Sequence, residues 1–140
     1  MAKFTIKNAR LSFPSLFHKA EFDGVETKFE GTFYKNELIR YAFSYEISIK
    51  NLSVDTTQLL SRKWTILDAL NDNEIIYGEG VVGKTPIIEP GKLHKYKSGC
   101  VLSSPNGAMK GFYIMKNHST SSQFKVKIPL FKLSATYAQN

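Results

Sequence analysis

Between residues 41 and 51 the chain alternates almost without a fault. Tyr41, Phe43, Tyr45, Ile47 and Ile49 fall on one side, and Ala42, Ser44, Glu46, Ser48 and Lys50 on the other. A period of two marks a strand buried on one face only. A helix at 3.6 residues per turn would scatter the same apolar set around its whole circumference. One such strand obliges the chain to supply partners along its edges and a second layer over its apolar face.

The other segments supply them. Residues 57–67, 74–77, 92–102, 108–117 and 123–133 all read as strands, divided by the polar or turn-forming stretches 51–56, 68–73, 103–107 and 117–122. No stretch sustains a helical period. Toward the front, Phe4, Ile6, Leu11 and Phe13 mark an alternating segment closed by Pro14, and Asp23-Gly24 signals a turn. That turn predicts a hairpin leading into a strand over 26–34, where Gly31 marks a bulge. Ten Phe and seven Tyr suit sheet packing. The expectation is one all-β domain over residues 1–140, an antiparallel sandwich or barrel.

Residues 77–91, YGEGVVGKTPIIEPG, carry the sharpest motif. Gly78, Gly80 and Gly83 satisfy G-x-G-x-x-G, and residues 78–85 satisfy G-x-x-x-x-G-K-[ST]. Both patterns hold phosphates only where the loop opens a helix. Here Pro86 and Pro90 flank two isoleucines, which forbids one. The stretch therefore reads as a strand end, a turn and a proline-bent segment. Gly78, Gly80, Gly83 and Lys84 stand only as candidates for an anion or ligand loop.

Other chemistry is sparse. His18, His94 and His118 lie far apart, no G-x-S-x-G elbow occurs, and the carboxylates are scattered. No catalytic residue, metal ligand or cofactor is predicted. Arg62 and Trp64 alternate on one strand and share a face, either as an exposed cation–π platform for a partner or as a core anchor with a rim residue. Lys92, Lys95, Lys97 and Lys110 would form a basic surface if strand order brought them around the glycine loop. A net charge of +7 suits an anionic partner, although the basic residues never run longer than two. The single cysteine, Cys100, excludes an internal disulfide and fits the cytoplasm. No apolar run is long enough to span a membrane, and no signal peptide is expected. Exposed sheet edges offer a route to a homodimer.

From about residue 26 onward the sequence closely resembles the ApaG family. The resemblance is carried by FSYEISIKN (43–51), QLLSRKW followed by ILDA (58–69), GEGVVG with Pro86, PGK (90–92), YKSGC (96–100), GAMKGFY (107–113) and FKVKIPLFKL (124–133). It implies an immunoglobulin- or fibronectin type III-like sandwich with residues 25–140 as its body. It implies association with cobalt resistance and magnesium efflux, and, through related domains in eukaryotic F-box proteins, a partner-binding role. It points to a non-enzymatic interaction or regulatory module and supplies no catalytic residue.

Residues 1–24 depart from that family. Residues 7–33 instead resemble the start of phage single-stranded-DNA-binding proteins, and the two resemblances overlap over ETKFEGTF (26–33). This implies a chimera, natural or engineered, joined through the shared segment. The alternative function is then single-stranded nucleic acid binding at the front, with Lys7, Arg10, Phe13, Phe17 and Lys19 as its residues.

Overall fold

The structure, a computed structural model, describes residues 19–135. Eight strands follow in chain order: β1 (Ala20–Lys35), β2 (Leu38–Asn51), β3 (Thr57–Asp68), β4 (Glu74–Glu79), β5 (Ile87–Ile88), β6 (Leu93–Leu102), β7 (Asn106–Asn117) and β8 (Gln123–Ser134). No helix occurs among the described residues. One sheet runs β1-β2-β6. The other runs β4-β3-β7-β8, with β5 pairing β3 beside it. All pairings are antiparallel. The protein is an antiparallel β-sandwich.

The alternation over residues 41–51 sets the core. Phe43, Tyr45, Ile47 and Ile49 are buried and belong to one cluster with Leu59 and Trp64 of β3, Tyr113 and Met115 of β7, and Ile128 and Leu133 of β8. Trp64 stands at its centre. Its ring meets Tyr45 at 5.7 Å, Phe131 at 5.9 Å and Tyr113 at 6.5 Å, each edge-on. Such edge contacts add about 0.5–1.5 kcal/mol apiece beyond the area they bury.

The first hairpin departs from expectation. Asp23 and Gly24 form no turn; both are buried within β1, where the register with β2 shifts between Phe22 and Gly24. The chain turns instead at Asn36 and Glu37, between the paired Lys35 and Leu38, with φ of 52° and 65°. Positive φ at both central residues matches the twist of the flanking strands. Asn tolerates that conformation, whereas Glu adopts it rarely, so the pair hides its turn from composition. The bulge at Gly31 is present: the register shifts between Phe29 and Gly31, and Gly31 has φ 128°. Residues 87–88, expected only as a bent segment, form β5.

The boundary expected after residue 24 falls inside β1. Ala20 and Phe22 already belong to the core, and Leu52 N–H donates to Lys19 O at 3.0 Å. The strand is continuous across the proposed joint.

Candidate functional site

Strand pairing explains the glycine stretch. Arg62 of β3 lies directly opposite Gly78 of β4. Its side chain crosses that glycine: a Cβ at Gly78 would fall 2.5 Å from Nη1. Nη1 donates to Glu79 O at 2.9 Å and Gly80 O at 2.8 Å. Gly80 has φ 58°, and a Cβ there would meet Lys84 O at 2.0 Å. Val81 and Lys84 then bond to each other in both directions, at 2.7 and 3.0 Å, across a turn made by Val82 and Gly83. Both turn residues have positive φ, 50° and 75°.

A phosphate cradle needs loop amides that point at a ligand. Here the amides of Gly80, Val81 and Lys84 donate to Leu60 O, Lys84 O and Val81 O. Residues 85–86 then lead into β5 rather than a helix. These three amides face the protein's own backbone, and the carbonyls of Glu79 and Gly80 face Arg62. Val82, Gly83, Lys84 and Thr85 are exposed at the loop's tip, and Lys84 is the charged residue among them.

Trp64 is 3% exposed and lies at the centre of the core, so Arg62 and Trp64 form no exposed platform. This corrects their placement as a partner-binding pair: they share a face, but that face points inward. Arg62 is half-buried beside a set of interior hydroxyls. Tyr96 and Tyr113 are hydrogen-bonded to each other through their OH groups. Burial raises the pKa values of Tyr45, Tyr96 and Tyr113, and the positive charge of Arg62 opposes the rise. Burial, with smaller contributions from Glu74 and Asp68, pushes the Cys100 thiol up to about 11. A thiol so placed is protonated at neutral pH and poorly nucleophilic.

The two described histidines have separate partners. His94 stacks on Tyr96 with ring centroids 6.4 Å apart, and His118 Nε2 bonds Gln58 Oε1 at 2.9 Å. Among the described residues no group of His, Cys, Asp and Glu could hold a metal ion. The four lysines do not gather around the glycine loop, because Lys95 and Lys97 lie on β6 whereas Lys110 lies on β7 in the other sheet. Lys7, Arg10, Phe13, Phe17 and His18 lie outside the described residues. Lys19 Nζ sits 5.2 Å from the ring centroid of Phe124. No described helix is long and apolar enough to cross a membrane.

Motif reasoning missed one feature. β6 ends at Leu102, opposite Tyr41, yet β1 and β2 continue to their turn at Asn36 and Glu37. The overhanging ribbon carries Phe33, Tyr34, Leu38 and Ile39 at 41, 75, 58 and 37% exposure. Tyr34 and Ile39 are cross-strand partners. Phe29 steadies the base of the arm against Tyr41 and Phe43, at 6.4 and 5.4 Å. The sequence signal was there: apolar residues continue on both sides of a polar Asn-Glu pair.

The chain is similar to known proteins over most of its length. A family model described as the ApaG domain matches residues 32–117. Protein ApaG of Shewanella sediminis is 48% identical over 95 residues, covering 68% of this chain and 75% of that protein. Protein ApaG of Vibrio vulnificus is 43% identical over 110 residues, covering 79% of this chain and 86% of that one. The X-ray structure of a structural genomics target superposes with a TM-score of 0.81 at 35% identity, covering 88% of this chain and 92% of that one.

Proposed function

This chain belongs to the ApaG domain family, and from that premise we propose that it is a non-catalytic interaction module that docks a protein partner through the β1–β2 arm, in the service of divalent-cation homeostasis. One observation carries the proposal: a two-stranded ribbon leaves the sandwich with four large apolar side chains exposed around its tip. Phe33 and Leu38 fall on one face of the ribbon and Tyr34 and Ile39 on the other, so a partner that grips the tip would cover apolar side chains on both. A ribbon of two strands is also marginal alone, so a partner that adds contacts would order it further. The filled glycine loop agrees with this, because the one stretch resembling a nucleotide site is occupied by Arg62. The strand order supports placing the sandwich with the immunoglobulin and fibronectin type III kind.

The test is growth of cells lacking their own ApaG protein under cobalt stress, rescued by this chain or by Tyr34→Asp with Leu38→Asp. Both substitutions lie on the exposed arm and should leave the melting temperature within a few degrees. The parent should restore tolerance and the arm variant should not. Full rescue by a folded arm variant overturns the docking assignment. Failure of the parent to rescue overturns the link to cation homeostasis. Light scattering on both proteins identifies a second copy of the chain as the occupant if only the parent self-associates.

A further inference from the structure

The outward face of the larger sheet holds a second pattern, independent of the arm. One cross-strand row runs Tyr77, Lys63, Phe112, Lys127 from β4 through β3 and β7 to β8. Rings and ammonium groups alternate along it. Lys63 Nζ lies 5.5 Å from the centroid of Tyr77 and 5.6 Å from that of Phe112, and Lys125 Nζ lies 4.4 Å from Phe112. Beside the row is an open recess of about 600 Å³, bordered by Lys63, Lys110, Lys125 and Lys127 with Phe112 and Leu130 among its apolar lining. None of these four lysines is ion-paired with a described acid. Glu79, the acid opposite Ser61, stands at the end of β4.

Four ammonium groups around one recess repel one another, and cation–π contacts of about 0.5–1 kcal/mol at exposed sites offset this only in part. Glu79 on the same face and Glu21 beside Lys125 and Lys127 offset part of the charge, and the surplus is complementary to a polyanion. The rings narrow the choice. An acidic peptide or an anionic bilayer would use the charge, but neither couples a planar group to every anionic unit. A single strand of nucleic acid uses both: phosphates on the lysines and bases against aromatic faces. Tyr77 is 72% exposed and available for stacking. Three inter-strand steps span roughly 14 Å, room for about two or three nucleotides on a sheet platform.

We propose that this face binds single-stranded nucleic acid, with its phosphates on Lys63, Lys110, Lys125 and Lys127 and its bases stacked on Tyr77 and in the recess beside Phe112. The site differs from the front segment, where the resemblance to phage proteins would place such binding.

The test is fluorescence anisotropy of labelled oligouridine and oligothymidine 12-mers with the full chain. Four phosphate contacts give a slope of about −2.8 in log affinity against log salt, a loss of roughly 50-fold between 50 and 200 mM. Lys63→Glu with Lys127→Glu should weaken binding at least tenfold, and the milder Lys63→Gln with Lys127→Gln severalfold, should the reversed pair not fold. Tyr77→Ala should cost about fivefold or more at an unchanged salt slope. Lys95→Glu with Lys97→Glu makes the same charge change on β6 and should have little effect. Binding of either oligomer with this pattern supports the proposal, and the tighter of the two names the natural strand. No binding at 50 mM salt overturns it. So does equal weakening by the β6 pair, loss confined to Lys7→Ala with Arg10→Ala, or equal competition from polyglutamate or phosphatidylserine vesicles.

Discussion

The guanidinium of Arg62 stands where a side chain on Gly78 would stand, so that a Cβ at Gly78 would lie 2.5 Å from Nη1. The two residues face each other across β3 and β4. The guanidinium cannot simply swing away, because it is bonded to the carbonyls of Glu79 and Gly80. Gly78→Ala should therefore displace it and cost about 1–3 kcal/mol of stability, read from urea unfolding. The three atoms nearest that Cβ all belong to the guanidinium, so in an Arg62→Ala background the same alanine should be close to neutral. The expected coupling is nearly the whole of that cost, about 1–3 kcal/mol. Equal costs in the two backgrounds would show that Gly78 is glycine for another reason.

Asn51 closes β2 with every polar atom engaged. Its side-chain amide donates to Asp55 O and Ile88 O, both at 2.8 Å, and its Oδ1 accepts from Ser53 N at 3.0 Å and Ser53 Oγ at 2.7 Å. Its backbone bonds Lys92 O and Gly91 N. The residue is fully buried. Asn51→Asp puts acceptors against two carbonyls and buries a charge, so at pH 7 it should cost about 3 kcal/mol or more, exceeding Asn51→Ala. The new carboxyl is held above its ordinary pKa in the fold. The deficit should shrink as pH falls, since a protonated acid regains one donor. Thermal unfolding at pH 4 and 7 measures this, and an alanine variant worse than the aspartate at pH 7 would refute the donor argument.

The interior hydroxyls and thiol predict the alkaline limit of the fold. Burial raises Cys100 to about 11 and lifts Tyr45, Tyr96 and Tyr113 above their ordinary value. The folded state thus keeps protons that the unfolded chain releases. Stability is fully present below the unfolded pKa values of 9.0 for the thiol and 10.0 for the phenols, and is lost as pH rises beyond them. Urea midpoints should be flat from neutrality to about pH 8.5. Above that they should fall, each retained proton contributing up to about 1.4 kcal/mol per pH unit. Cys100→Ala should remove the part of the fall that begins near pH 9. A curve unchanged by that substitution would mean the thiol titrates as if exposed.

The sheets were legible because half-buried strands write their period into the sequence. The strand read over residues 57–67 is β3 to within one residue, and that read over 41–51 is β2 except that β2 begins three residues earlier, at Leu38. What stayed hidden depended on pairing. Asp23-Gly24 has turn composition, yet β2 runs long enough to pair it as strand. The spacing of Arg62 and Trp64 puts them on one face, but a period of two does not say which face is inward. The prolines after the glycine motif exclude the helix a phosphate loop needs, and residues 87–88 form β5. The motif's actual use, making room for Arg62, required knowing that β4 folds back on β3. The lysine and ring row is invisible in sequence, since its members are drawn from four strands between residues 63 and 127.

The outward tip of the glycine loop reports its position through His94. That imidazole is half-buried and stacked on Tyr96, with ring planes 24° apart. Its pKa lies below 6.5, first because burial penalises the charged ring and second because Lys84 is near. Lys84→Ala should therefore raise the value without restoring 6.5, and Lys84→Glu should raise it further; proton NMR titration of His94 reads both. A base depressed in the fold contributes stability that is present above 6.5 and lost as pH falls through the folded value. It follows that Lys84→Glu should lose less stability than the parent between pH 7 and 5. If His94 titrates identically in all three proteins, the turn at Val82 and Gly83 does not rest beside β6 in solution.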